Sequence, residues 1–388
     1  MIPSFYQGSV KNILGPLPQK SGDDDILLFQ FTDSFSAFDW GRMPDAIPHK
    51  GDALAMITAD LYQKLSQPES WQKFSKSQTA LEIRKGISGI ASYQDTAKLP
   101  AGVTPPDSLG SIFNGIGERL QSSGLATHMI GVNKDPSHVP ASYSDMSEPF
   151  NGIAVKQVNV TRPIEKPLLG QGVLDYHPTR SAANPKLIPL EVVFRFSCPE
   201  GSSLIGHVQK DPSYLSTMGV PQSMQGPIEP GAKWTYPLVE LFTKLESKDR
   251  RINFTESLAI SGLSSEQLQE VILLSVWTAG WLKDYCLQAG LELADGKLEW
   301  GLDRDGQIML VDSVGPDEFR LIHNGVQISK EFLRRWYRKT PWHSKLESAQ
   351  SSGIIHWKRE LNEEPPRLPP NYLEAASQVY QVLTNEMT

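Results

Sequence analysis

The chain has 388 residues, 21% charged and 39% hydrophobic, which is too apolar for disorder and long enough for one large two-lobed unit or two domains. A formal net charge of −7 excludes a generally nucleic-acid-binding surface, though not a local basic pocket for a small phosphate. Cys198 and Cys286 lack metal-ligand spacing, no basic-then-apolar leader opens the sequence and no apolar run could span a bilayer, so a reducing, cytoplasmic setting without a membrane partner is expected.

The first pattern is Tyr6-Gln-Gly-Ser-Val-Lys-Asn12, in which a glycine turn at Gly8 leads to Lys11. Such a turn can lay backbone N–H groups over a nucleotide and direct the ammonium to its phosphates. An apolar strand, Ile26 to Phe31, follows. Phe31 to Arg42 reads as a turn-rich loop dense in hydroxyls and carboxylates, and His49-Lys50-Gly51 comes after it. Asp52 to Leu65 has helical spacing; Ser66 to Gly110 is rich in Ser, Gln, Gly and Pro; Ser111 to Thr127 is helical again. Ile153 to Val160 reads as a strand carrying Lys156, followed by a proline-containing excursion, Arg162 to Pro185. In the strand Leu187 to Phe196, Glu191, Val193 and Arg195 point one way, so a carboxylate and a guanidinium share a face.

Glu240 and Lys244 in Pro237 to Lys244 have the spacing of an i,i+4 helical pair. Capping chemistry at Ser264-Ser-Glu-Gln starts a long helix that Gly290 ends. Alternation from Leu291 to Gly301 puts Leu291, Leu293, Asp295, Lys297 and Glu299 on one strand face. Asp303 to Gly306 reads as a hairpin turn; with Leu302 opposite Gln307, Asp312 falls opposite Lys297 and shares its face. Flanks this apolar do not suit an exposed edge ribbon, so three carboxylates and an ammonium there need partners, and a divalent cation bridging phosphate oxygens is a chemically sensible one. Ser329 to Arg338 is helical and basic, Lys339 to Pro370 polar and proline-rich, and Asn371 to Met387 a last amphipathic helix.

Several of these segments resemble motifs of the SAICAR synthetase family. Leu293-Ala-Asp-Gly-Lys-Leu-Glu-Trp-Gly301 is similar to its Leu-Val-Asp-x-Lys-x-Glu-Phe/Trp-Gly signature, and Gly315-Pro-Asp-Glu-Phe-Arg320 to the Ser-Pro-Asp-x-x-Arg that follows. The opening resembles Tyr-x-Gly-Lys-x-Lys, with Ser9 at the first lysine. The loop resembles the Ser/Thr-Ala-x-Asp-Gly … Lys-Gly region, which places Ser36, Asp39 and Lys50 at the substrate pocket. Glu191 to Ser202 resembles Pro-x-Glu-x-x-x-Arg-Asn-x-x-x-Gly-Ser, whose arginine and serine hold the ribonucleotide; Phe196 stands at the asparagine and the run is one residue longer.

The resemblance implies an α+β, two-lobed, ATP-grasp-like or kinase-like fold: a small antiparallel lobe in residues 1–160 and a larger lobe in 161–388, with insertions at about 66–110 and 162–185. It implies an ATP-dependent ligase joining the carboxylate of carboxyaminoimidazole ribonucleotide to the amine of L-aspartate through an acyl phosphate, with ATP and Mg²⁺ bound. On that basis Lys297, Glu299 and Asp312 are catalytic, the latter two holding the metal; Gly8, Lys11 and Lys156 take ATP; Ser36, Asp39, Lys50, Glu191, Arg195, Ser202, Asp295 and Arg320 take substrates. Ser9, Phe196 and Ser313, where the family has a second acid, leave two alternatives open: a paralogous ligase with another acid or amine, or a non-catalytic nucleotide-binding protein. A homo-oligomer is also left open.

Overall fold

The computed structural model describes every residue except 1–3, 18–24, 39, 95–107, 136, 219, 221–227, 247–248, 329, 353–356 and 362. The chain begins with strands β1 (Ser4–Gln7), β2 (Lys11–Leu14), β3 (Ile26–Phe31), β4 (Ser34–Ser36) and β5 (Arg42–Ala46). Helices α1 (Lys50–Ser66), α2 (Pro68–Phe74), α3 (Gln78–Gln94) and α4 (Leu109–Ser123) follow. Next come β6 (Met129–Val132), β7 (Gly152–Lys156), β8 (Ile164–Leu168), β9 (Gln171–Asp175), α5 (His177–Ser181) and β10 (Lys186–Cys198). The segment after it holds α6 (Ser203–Lys210), α7 (Tyr214–Thr217), β11 (Ala232–Thr243), β12 (Arg251–Ile252), α8 (Phe254–Ser261) and α9 (Ser265–Gln288). The last elements are β13 (Glu292–Leu302), β14 (Ile308–Val311), β15 (Phe319–His323), β16 (Val326–Gln327), α10 (Lys330–Tyr337), α11 (Pro341–Ser351), α12 (Trp357–Leu361) and α13 (Pro370–Met387).

These elements form two compact units that are each discontinuous in sequence. Met1–Gln63, Met129–Gln157 and Val314–Thr388 make the first; Lys64–His128 and Val158–Ser313 make the second. Each unit therefore draws residues from both sides of position 160. The reason is burial: Phe113 stacks on Trp277 of α9 with ring centroids 4.6 Å apart, and Trp71 and Phe74 pack on Trp281 and Trp277 at 6.2 and 6.0 Å. Amino-terminal helices thus cover a carboxyl-half helix. Most of the segment expected as a Ser/Gln-rich insertion is α2 and α3, while the second excursion is the β8–β9 hairpin and α5.

In the first unit the sheet runs β1-β2-β3-β7-β6, antiparallel throughout. Gly8 makes the β1–β2 turn: its N–H donates to Lys11 O at 3.0 Å, and a Cβ there would sit 2.5 Å from the same oxygen. Only a residue without a side chain fits. The carboxyl-terminal helix α13 is tied to Gly315–Arg320 by Tyr380, whose hydroxyl donates to Asp317 Oδ1 at 2.6 Å.

In the second unit the antiparallel order is β12-β11-β10-β13-β14. Helix α9 starts at a capping box between Ser264 and Gln267 and is followed by Gly290 at φ +70°, the stop and start its sequence specifies. Trp300 on β13 donates its indole N–H to Ser275 Oγ of α9 at 2.9 Å, and the Lys283 ammonium of α9 lies 4.5 Å from the Phe196 ring centroid. Strand alternation therefore turns Val192, Phe194, Phe196, Leu298 and Trp300 toward α9. Everything of opposite parity faces the other way. No described helix is long and apolar enough to cross a membrane.

Candidate active site

The face of the second sheet turned away from α9 carries the chemistry. Antiparallel register sets Arg195 opposite Asp295, Val193 opposite Lys297 and Glu191 opposite Glu299, while β11 sets Glu240 opposite Val193. Residues directly opposite share a face, so Glu191, Arg195, Asp295, Lys297, Glu299 and Glu240 form one surface. Lys244, just past β11, joins them.

One cluster is built on Glu299. Lys244 Nζ donates to Glu299 Oε1 at 2.6 Å and lies 3.6 Å from Glu191 Oε2; Lys297 Nζ donates to Glu191 Oε2 at 3.1 Å. Burial strips water from Glu299 and the Asp312 carboxylate repels it, and together these outweigh Lys244 and Lys297, raising the carboxyl to about 7. Burial also disfavours the Lys244 ammonium, but Glu299 reverses that and holds it above the ordinary lysine range. Desolvated carboxylates set against each other accept a divalent cation. Among the described residues no group of three or more His, Cys, Asp or Glu is arranged to hold one.

Asp312 reaches this cluster by another route than expected. The register sets Leu302 opposite Ile308 and Glu299 opposite Val311, one residue off the expected pairing, because the turn spans Asp303 to Gln307. Asp303 stabilises that longer turn by accepting from the Asp305 and Gln307 N–H groups at 3.0 and 2.8 Å. A one-residue slip would reverse the side chain. Instead the strand ends at Val311, and Asp312 adopts φ +66°. Buried His128 fixes this bend: its N–H donates to Leu310 O and its Nε2 to Asp312 O, both at 3.0 Å.

The second cluster surrounds Arg195, only 5% exposed. Its Nε donates to Glu240 Oε2, its Nη1 to Asp295 Oδ2 at 3.1 Å and its Nη2 to Ser203 Oγ at 3.1 Å. The guanidinium is thus largely committed to protein partners rather than presented freely to a ligand. Ser202 stands at the N-cap position of α6 but makes no side-chain capping hydrogen bond, its Oγ being buried without a partner. The extra residue before the serine makes Ser203, not Ser202, the partner of Arg195.

Sequence reasoning read Glu240 and Lys244 as neighbours on a helix; they stand on and just beyond a strand, where positions four apart also share a face. The β-branched and aromatic run Trp234-Thr-Tyr-Pro-Leu-Val-Glu-Leu-Phe-Thr243 carried the strand signal. Tyr214 and His207 had no motif to mark them.

The remaining expected residues lie in the first unit. Gly8 forms the β1–β2 turn, the Lys11 ammonium sits 4.4 Å from the Phe29 ring centroid, and Lys156 ends β7 opposite Ile26. Ser36 lies on β4, and partly buried Arg320 on β15. Asp39 falls outside the described residues. Lys50 does not fit a substrate contact: it is 0% exposed, with Nζ 2.9 Å from Asp317 Oδ2. The Asp317 carboxyl is disfavoured by burial yet driven well below the carboxylate range by Lys50, Lys330 and Tyr380. Lys50 and Asp317 therefore form a structural pair.

A family model for SAICAR synthetase matches residues 4–90 and 120–349, so the unmatched internal segment is shorter than the insertion expected at 66–110. A chain of Archaeoglobus fulgidus, to which the name phosphoribosylaminoimidazole-succinocarboxamide synthase is provisionally given, is 30% identical over 382 residues, 98% of this chain and 93% of its own. A Thermoplasma volcanium protein of the same name is 30% identical over 215 residues, 52% of this chain and 67% of its own. In fold, the chain is similar to SAICAR-synthase from Saccharomyces cerevisiae, solved in complex with SAICAR, at TM-score 0.51 and 22% identity over 99% of this chain and 95% of that one.

Proposed function

This chain belongs to the SAICAR synthetase family, and on that premise we propose how its side chains divide the work. It is an ATP-dependent ligase of purine biosynthesis that joins the carboxylate of carboxyaminoimidazole ribonucleotide to the amine of L-aspartate. A carboxylate resists amines because its oxygen leaves poorly. Transfer of the γ-phosphoryl of ATP makes an acyl phosphate and ADP; the aspartate nitrogen then attacks the carbonyl carbon, loses a proton and expels phosphate. The protein must hold several anions together and keep water from the acyl phosphate.

The observation that carries this reading is the cluster of Glu191, Lys244, Lys297 and Glu299 on one sheet face, with the Asp312 charge acting on Glu299 from the bend after β14. Glu299 and Asp312 would hold Mg²⁺, which when bound supplies charge neutralisation for the transferring phosphoryl group. Lys297 and Lys244 add point charges beside it, Lys244 turning from Glu299 toward phosphate. Gly8, Lys11 and Lys156 serve ATP. Ser202, Ser203 and the first N–H groups of α6 take the ribonucleotide phosphate, with Arg195 beneath them. Ser36, Asp39, Asp295 and Arg320 complete substrate recognition. Cys198 and Cys286 are both buried and are not joined by a disulfide, which suits a reducing cytoplasm.

The Phe196 departure does not alter the charged face, because that ring points toward α9. ADP release by the purified chain with ATP and Mg²⁺ tests the reading. Turnover is expected only when both the ribonucleotide and L-aspartate are present; turnover with another acid or amine, but not this pair, would overturn the substrate assignment.

A further inference from the structure

The Arg195–Glu240 pair continues into a chain of groups that the ligation itself does not use. Glu240 is 1% exposed and spends one carboxylate oxygen on Arg195; the other accepts the hydroxyl of Tyr214. That hydroxyl also lies 2.9 Å from His207 Nδ1. A phenol has one proton, and here the carboxylate takes it. The phenol oxygen must therefore accept from the imidazole, so Nδ1 of His207 carries a hydrogen. The order of donation is fixed from the half-exposed ring inward: His207 to Tyr214, Tyr214 to Glu240, with Arg195 donating from the far side.

His207 is on α6, four residues after Ser203, and positions four apart lie on one helix face. The helix is consequently fastened at two points on that face, by Ser203 to Arg195 and by His207 to Tyr214. The first fastening is at the turn whose Ser202 Oγ is buried without a partner. Other charged groups reinforce the inner end: the Arg251 guanidinium lies 4.3 Å over the Tyr214 ring and donates to Thr217 Oγ1 at 2.7 Å, while Asp211 caps its own loop through Ser213. Burial and the Glu240 charge keep the phenol protonated far above the ordinary tyrosine range, so the direction of donation does not reverse.

We propose that Tyr214 and His207 are positioning residues for the ribonucleotide phosphate: they orient Glu240 and Arg195 and hold the first turn of α6 over them. This rests on the phosphate site assigned above. The two ends of the chain make different demands. Arg195 needs a carboxylate that cannot rotate, and α6, whose Leu204 seats it in the core, needs a polar anchor that fixes the face carrying Ser203.

The test is steady-state kinetics on the full chain with Tyr214→Phe, which keeps the ring and removes the hydroxyl. Loss of one buried hydrogen bond to a charged group predicts a KM for the ribonucleotide raised about tenfold, with kcat and the KM values for ATP and L-aspartate unchanged. His207→Ala should show the same selective rise, and His207→Asn, whose side-chain N–H reaches the Nδ1 position, should restore wild-type KM. An unchanged ribonucleotide KM in Tyr214→Phe, or an equal loss for all three substrates, would overturn the proposal. Nitrogen-15 NMR of histidine in the full chain gives a readout independent of turnover: an Nδ1–H imidazole for His207 that is lost in Tyr214→Phe is expected, and an Nε2–H form in the wild type would refute the chain of donation. Failure of the substrate assignment would instead show as an inactive wild type with the Nδ1–H signal intact.

Discussion

Two carboxylates on the same sheet face are displaced in opposite directions, and the contrast separates structural from functional charge. Burial opposes ionisation of Glu240, but the Arg195 charge, the nearby His207 ring and the hydrogen bonds from Tyr214 and Arg195 win, taking it down to about 2. Its contribution to stability is present above the ordinary carboxylate pKa of 4.5 and is lost as pH falls toward 2. Glu299, raised to about 7, does the reverse: its contribution is full below 4.5 and is lost as pH rises through 7. A site that stores an unfavourable charge until a cation or phosphate-bearing ligand arrives has this signature. Glu299→Gln is accordingly predicted to abolish turnover yet melt higher than wild type at pH 8, by on the order of 2 kcal/mol, with the gap closing near pH 4.5. Thermal melts at the two pH values check it; a Gln variant less stable at pH 8 would show that the Lys244 pair outweighs the burial cost.

At the scale of elements, patterning that one strand or helix carries within itself was legible. The alternation in β13 and β10, the Ser264 cap and the Gly290 stop all describe one segment's own geometry. What could not be read were quantities set between segments. The hairpin register depended on Asp303 accepting two N–H groups and lengthening the turn, and β11 was hidden because positions four apart share a face in strand and helix alike. The role expected of Lys50 came from the resemblance; only packing could reveal that Asp317 claims its ammonium. The β1–β2 turn gives an element-scale prediction. Gly8→Ala sets a methyl 2.5 Å from a backbone oxygen, which cannot swing aside as a side chain can. The turn must open, so KM for ATP should rise at least several-fold at a cost of about 1 kcal/mol in stability, and an unchanged KM would remove this turn from the nucleotide site. Ser264→Ala, by contrast, should lower stability by about 1 kcal/mol through the lost cap without touching any KM, as kinetics alongside denaturant melts would show.

For the whole molecule the decisive fact is that each compact unit is assembled from separated stretches of chain. Trp277 takes its stacking partner Phe113 and its hydrogen-bond acceptor, the Phe113 carbonyl at 2.9 Å, from a helix more than a hundred residues earlier. In the first unit, fully buried Lys50 finds its counter-charge in Asp317, and Asp317 is held in turn by Tyr380 of the last helix. A buried ion needs its partner because an uncompensated charge in a dry interior costs several kcal/mol. Cutting at residue 160, where the motif order suggests two lobes, would divide both units: it strips α2, α3 and α4 from α9 and leaves Lys50 without Asp317. Residues 1–160 and 161–388 expressed separately are therefore predicted to lack cooperative unfolding transitions, whereas co-expressed halves can reassemble and recover a melt. The milder lesion, Asp317→Asn in the intact chain, should destabilise by about 3–5 kcal/mol, and Lys50→Met added to it should recover much of that loss by removing the stranded charge. A cooperative melt from the isolated 1–160 fragment would mean that its helices find a sufficient core without α9, and the interleaving would then be packing detail rather than the principle on which the fold is built.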